Sequence, residues 1–403
     1  MALRTRIPLR KLPRRAFPAQ SRRRRQKSEA RLRARDLGTR IGTFSTGPFN
    51  AITDVAGCRV GYTTLIEGEG PLIVGQGPVR TGVTVILAHG GDVWSGPVFA
   101  GHHRLNGNGE MTGLLWLGES GLLSGPVALT NTSSVGLVRD TLVRLEAEQR
   151  PGDHELGALP VVGETHDGIL NDINGFHIRP EHVEAALRSA AGGPVAEGNV
   201  GGGTGMICHG FKAGTGTSSR RVCLSHGLVA TVGVLVQANY GRRSRLRVDG
   251  VPVGRYIPET EVPDPRSATA GRDGAGSIVG VVATDAPLLP HQCDRLAQRA
   301  GLGVARTGGV ADDSSGDIFL AFATGNRLLG EGRGPGHLVR AEMLPNEAMT
   351  PLFEAVVDAT EEAIVNALLA ATTMSGRDGN TAYALDPGRL EAVLAAHRPH
   401  FDN

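Results

Sequence analysis

GSIVGVVATDAP, residues 276–287, opens on a glycine and a serine and runs straight into an apolar stretch rich in valine. A β-branched run of this length, closed by Asp-Ala-Pro, predicts a buried strand. What precedes it is of another kind. Residues 241–276, GRRSRLRVDGVPVGRYIPETEVPDPRSATAGRDGAG, mix prolines, glycines and charges. That composition predicts an exposed linker with at most a hairpin around Val248 to Val253. A flexible segment that meets a core strand at a Gly-Ser junction has a chemical consequence. The hydroxyl of Ser277 can attack the Gly276 carbonyl, and hydrolysis of the resulting ester leaves a free α-amine on the serine. With an unperturbed pKa of about 7.7–8, that amine can act as base for its own hydroxyl. Gly-Ser pairs are common in surface loops, so the surroundings must carry the case.

Two neighbours sharpen it. Ser314-Ser315-Gly316-Asp317 leads into a second apolar run, IFLAFATGN (318–326). If that strand lies beside Ile278 to Val282, Ser315 and Asp317 share a face, because alternate residues of a strand do. Such a pair is suited to orient Ser277 and to hold its ammonium by charge-assisted hydrogen bonds. Asn239 closes LVATVGVLVQAN (228–239); its amide either donates to a developing oxyanion or caps a turn.

Outward from this centre the chain alternates strand-like and helix-like stretches. Val83 to Leu87, Leu114 to Leu117, Val127 to Leu129 and Leu228 to Val236 read as further strands. Helices are expected from Ser134 to about Gln149, Pro180 to Ala190, Thr350 to about Thr373, and Pro387 to His397.

Composition narrows the function classes. Aromatic residues are only 4% of the 403, too few for the stacking platforms that bind single-stranded nucleic acid. The net charge of +2 conceals a basic run in residues 1–40, with Arg22 to Arg25 at its centre. It lacks the apolar core of a secretory signal, and its composition predicts a disordered extension over residues 1–40. Cys58, Cys208, Cys223 and Cys293 have no metal-binding or disulfide-framework spacing, and the histidines have no ligand spacing. No apolar run reaches the roughly 18 residues of a membrane span. A reduced, cytoplasmic setting follows as the default, with no nucleic-acid or membrane partner and no cofactor. GNVGGGTG (198–205) looks like a phosphate loop, but no Gly-Lys-Ser/Thr follows.

Several long motifs in one order carry a resemblance that no single residue does. They include FNAITDVAGCRVGY (49–62), GETHDGILNDINGFH (163–177), EGNVGGGTGMICHGFKAGTGTSSR (197–220), GSIVGVVATDAPLLP and SSGDIFLAFATGN (314–326). From about Phe49 to Asp386 the chain resembles the self-processing L-aminopeptidase/D-esterase (DmpA-type) family. That family includes β-peptidyl aminopeptidases and is related to nylon-oligomer hydrolases. The resemblance implies a four-layered αββα sandwich with two mixed sheets. It implies a single catalytic domain over 41–403, cleavage between Gly276 and Ser277 into an α-chain (1–276) and a β-chain (277–403), and a homo-oligomer of cleaved αβ units. It makes Ser277 nucleophile and base, Ser315 and Asp317 its supporting pair, and Asn239 the oxyanion asparagine. The family commonly has glutamate where this chain has Asp317. Where the family tends to place a tyrosine, this chain has His166, expected to touch substrate. The activity implied is release of N-terminal residues from short peptides, amino-acid amides or esters through an acyl-enzyme. Competing readings are an amidase that cuts internal bonds of oligomeric amides, an acyl-transferring enzyme, and an unprocessed binding protein that keeps the fold.

Overall fold

The structure is a computed structural model that describes residues 31–151, 159–224, 227–267, 276–326 and 338–398. Two sheets lie face to face. The larger has six strands, in the order β4 (Leu122–Leu123), β3 (Val98–Gly107), β12 (Gly316–Ala323), β11 (Ser277–Thr284), β10 (Val229–Asn239) and β9 (Thr215–Cys223). The smaller has four: β1 (Arg59–Glu67), β2 (Val79–Leu87), β5 (Val127–Asn131) and β6 (Val161–Thr165). Both are mixed, since β11 runs parallel to β12 and β5 to β6 while their other pairings are antiparallel.

Strand alternation explains how one run serves two cores. Val279, Val281 and Ala283 of β11 point toward the smaller sheet, where they meet Leu129 and Val161. Ile278 and Val282 point the other way, into a core shared with α5 (Pro290–Arg306) and α6 (Thr350–Leu369). All eight residues of β11 are buried. On the far side, α2 (Val135–Gln149) and α3 (Pro180–Arg188) lay Val138, Leu142 and Val183 against Val83, Val85 and Val162 of the smaller sheet. The layers are therefore helix, sheet, sheet, helix, as the αββα expectation had it. Short elements complete the chain: α1 (Leu114–Ser120), β7 (Ile207–Cys208), β8 (Phe211–Lys212), α4 (Val253–Tyr256), β13 (Met374–Ser375), β14 (Thr381–Ala382) and α7 (Pro387–His397). Among the described residues, no helix is long and apolar enough to cross a membrane.

Three expectations need correcting. Leu114 to Leu117 forms the first turn of α1 and not a strand. Gly113 and Gly121 flank it in left-handed conformation, and a short apolar run does not distinguish helix from strand. The supposed linker is packed over residues 241–267. Leu246, Val248, Val253 and Ile257 are fully or almost fully buried, and the Arg243 guanidinium stacks 3.5 Å above the Phe211 ring. The aliphatic residues spaced among its charges supply a core-facing side. Residues 268–275 lie outside the described residues. Finally, residues 31–40 are not an extension. Ala34 is buried with its N–H on Asn366 Oδ1, and Arg35 pairs with Glu362 of α6 at 2.9 Å. Residues 1–30 lie outside the described residues.

Candidate active site

Three strand ends meet at one end of the space between the sheets. In the antiparallel β10–β11 pair, Asn239 stands directly opposite Ser277. In the parallel β11–β12 pair, Ile278 stands beside Asp317. The register thus delivers the four sequence-predicted residues Asn239, Ser277, Ser315 and Asp317 to one place, and all four are buried.

The contacts among them are specific. Ser277 Oγ accepts the Gly316 N–H at 2.9 Å. Ser315 Oγ lies 2.8 Å from Asp317 Oδ2 and 2.8 Å from the Asp312 carbonyl, so its one hydrogen serves one acceptor at a time. Asn106 Nδ2 donates to the same hydroxyl at 3.1 Å. Asp317 Oδ1 accepts the Ile278 N–H at 3.1 Å. The Ser315–Asp317 pair is thereby tied to the strand of Ser277 through backbone amides, Gly316 on one side and Ile278 on the other. The aspartate is long enough for both of its bonds. Burial raises its pKa from 3.8 to about 6, and hydrogen bonds from Ser315 and Ile278 only partly offset that.

Asn239 is held at both ends of its amide. Its Oδ1 accepts the Ile207 N–H at 2.9 Å, and its Nδ2 donates to the His166 carbonyl at 2.9 Å. With the oxygen engaged by a donor, the nitrogen's position is set, and its second N–H is used by neither bond. The residue before Ser277 is equally constrained. Gly276 has φ +138°, and a Cβ there would come within 1.9 Å of the Asn239 carbonyl oxygen. Only glycine fits.

Asn239, Gly276 and Ser277 line a cavity of about 550 Å³ together with Glu164, His166 and Arg266. His166 is exposed at its wall, and its backbone carbonyl is the part that holds Asn239. Arg266 was hidden in the supposed linker; Asp264 at 2.8 Å and the Gly241 carbonyl at 2.9 Å fix its guanidinium. Glu164 is the more telling omission from the sequence reading. It ends the apolar run of β6, 4% exposed, where its carboxylate accepts the Glu110 N–H at 3.0 Å and the Thr132 hydroxyl. Burial raises its pKa. Among the described residues, no Lys or Arg forms an ion pair with it. The available signal was a carboxylate closing a buried strand within GETHDG. No cluster of His, Cys, Asp and Glu among the described residues is arranged to hold a metal ion.

A family model described as peptidase family S58 matches residues 50–382. The chain belongs to peptidase family S58. It is 51% identical to the beta-peptidyl aminopeptidase BapA of Sphingosinicella microcystinivorans over 374 residues, 91% of this chain and 92% of that one. Among solved structures, a beta-aminopeptidase of a Burkholderia species superposes with a TM-score of 0.83 at 51% identity, covering 91% of this chain and 100% of that one. The L-aminopeptidase D-Ala-esterase/amidase of Ochrobactrum anthropi gives 0.83 at 46% identity, covering 90% and 98%. The latter is a prototype of the serine aminopeptidases with a variant of the Ntn hydrolase fold. As an S58 member, this chain is a serine aminopeptidase of the N-terminal-nucleophile type.

Proposed function

We infer that the S58 chain cuts its own Gly276–Ser277 bond and then removes N-terminal residues from short peptides, amino-acid amides or esters. The observation that carries this is Ser277 at the head of a buried strand, opposite Asn239, facing a cavity that also presents a buried carboxylate. In self-cleavage, Ser277 Oγ bonds to the Gly276 carbonyl carbon and the C–N bond breaks. The nitrogen becomes the α-amine of Ser277, and water hydrolyses the ester. In turnover, the same oxygen attacks the substrate carbonyl and the α-amine takes its proton. The free N–H of Asn239 stabilises the tetrahedral oxyanion. Ser315 and Asp317 orient the nucleophile and carry the α-ammonium. The leaving amine departs with a proton, and water releases the acyl group.

Glu164 defines the substrate class. A desolvated carboxylate beside the nucleophile favours a cation, and the cation a short peptide offers is its terminal ammonium. Acyl groups of β-amino acids fit the same requirement, a reading supported by the 51% identity to a beta-peptidyl aminopeptidase. His166 forms part of the acyl pocket. A homo-oligomer of cleaved αβ units in the cytoplasm completes the proposal.

The test pairs substrates that differ only in N-acetylation. The wild-type protein is expected to hydrolyse the free-amine form at least about 100-fold faster, in line with the loss of a charge-assisted contact. Glu164→Gln is expected to erase most of that preference by raising KM for the free-amine form. Equal rates on both forms in the wild type would overturn the aminopeptidase specificity assigned to this site.

Asp317 gives a pH signature. Its carboxylate must be ionised to accept both bonds, and with a pKa of about 6 it is lost as pH falls through that value. The α-amine must be neutral, and it protonates below about pH 8. Both losses run in the same direction. On the acid side, log kcat/KM should fall with slope 1 below about pH 8, steepening to slope 2 below about pH 6. Asp317→Asn should keep slope 1 throughout, on a plateau lowered about 10- to 100-fold. A wild-type slope of 1 down to pH 5 would remove the ionised aspartate from the mechanism.

A further inference from the structure

Behind Asn239 lies a fully buried lysine that the mechanism has not used. Lys212 is 0% exposed, and burial holds its pKa well below the usual lysine value. Among the described residues, no carboxylate forms an ion pair with it. Its Nζ donates to two backbone carbonyls, Met206 at 2.9 Å and Ala213 at 2.5 Å. The first of these matters most. The Met206 carbonyl and the Ile207 N–H belong to one peptide unit, and that N–H is the group bonded to Asn239 Oδ1. The same carbonyl also accepts the Ala213 N–H at 3.1 Å. A continuous relay results: Lys212 Nζ to the Met206–Ile207 peptide, that peptide to the Asn239 carboxamide oxygen, and the carboxamide N–H into the cavity beside Ser277.

Hydrogen bonds in series polarise one another, so a donor at the head of the series strengthens each later link. Electron density drawn toward Asn239 Oδ1 makes its Nδ2–H a better donor. A peptide fixed at both its oxygen and its nitrogen cannot rotate and release the amide. Neighbouring bonds brace the assembly: the Lys212 N–H on the Tyr383 carbonyl at 2.7 Å, and the Thr165 hydroxyl on Met206 Sδ at 2.9 Å.

The geometry points to Lys212 as a positioning residue that polarises and locks the oxyanion donor Asn239 through the Met206–Ile207 peptide. The assignment rests on Asn239 acting as that donor, and its effect belongs to the transition state. Substrate in the ground state carries no oxyanion, so kcat should respond and KM should not.

The experiment is a double-mutant cycle on the full-length protein, with turnover counted per mole of chain beginning at Ser277. Lys212→Met should lower kcat about 10- to 100-fold, less than the about 10²- to 10³-fold expected when an oxyanion donor is deleted outright. KM should stay within about twofold. In an Asn239→Ala background, where the relay has no end, Lys212→Met should cost less than about threefold more. Lys212→Gln, which retains a neutral donor of shorter reach, should fall between wild type and Met; it carries the test should the Met variant not fold. Losses that multiply in the double variant, or a Lys212 variant with wild-type kcat, would overturn the relay and leave the lysine as packing. An Asn239→Ala protein with wild-type kcat would instead overturn the oxyanion reading itself, an outcome distinct from failure of the relay.

Discussion

The Ser277→Ala protein remains a single chain of full length and hydrolyses no amide substrate above background. Two independent losses produce this result. Without the hydroxyl nothing attacks the Gly276 carbonyl, so no α-amine is uncovered. Without the amine there is no base, even for a surrogate nucleophile. The expected fall in kcat is about four to six orders of magnitude, the scale seen when a serine nucleophile is removed from a working triad. The fold should survive, because β11 buries Ile278, Val279, Val281 and Val282 irrespective of residue 277. Fully burying such side chains contributes about 1.5–3 kcal/mol each. Melting behaviour close to that of wild type would separate a chemical loss from a structural one. A Ser277→Ala protein that still cleaves itself would remove the residue from its assigned role.

The second large effect is at Asn239. Replacing it with alanine removes the N–H directed at the oxyanion and leaves the Ile207 N–H and the His166 carbonyl without their partner. Loss of a preorganised oxyanion donor costs about 10²- to 10³-fold in kcat, with KM little changed. Asn239→Asp is the sharper probe. It preserves the acceptor for Ile207 but places a carboxylate where negative charge develops, so it should be slower than Asn239→Ala despite the smaller change in shape. Steady-state kinetics on an amide and on the matching ester would check both variants. A smaller loss on the ester, whose leaving group departs more readily, is the expected pattern.

How much of this was legible in the sequence depended on how local the signal was. The strands around Ser277 and Asp317 announce themselves as valine- and phenylalanine-rich runs, and their pairing brings Ser315 and Asp317 close to Ser277, as alternation suggested. Helix α5 passed unread because Gly301 and Gly303 interrupt its pattern. Gly303 is there for packing, since a Cβ would lie 2.5 Å from Thr360 Cβ of α6. The stretch at 241–267 was misjudged for the opposite reason. Its charges dominate the composition, while the residues that matter, Arg243 above Phe211 and Leu246 in the core, are satisfied by partners far away in sequence. Glu164 and Lys212 are likewise defined by what surrounds them. One is a carboxylate bonded by the Glu110 N–H, the other a lysine amine bonded to carbonyls, and no spacing rule anticipates either.

His166 and Asp317 mark where this chain departs from the pattern its resemblance implied. With the shorter side chain, Asp317 still reaches both the Ile278 N–H and the Ser315 hydroxyl. At residue 166 it is the backbone carbonyl that holds Asn239.

The central claim is that one atom, Ser277 Oγ, performs both the self-cleavage and the hydrolysis. The most direct measurement is an intact-mass spectrum of the wild-type protein, acid-quenched during turnover of a slowly deacylating ester. The account predicts two fragments, 1–276 and 277–403, with the acyl mass added to the second alone and mapped to its first residue. A single uncut chain, or an acyl group on any residue other than Ser277, would contradict it.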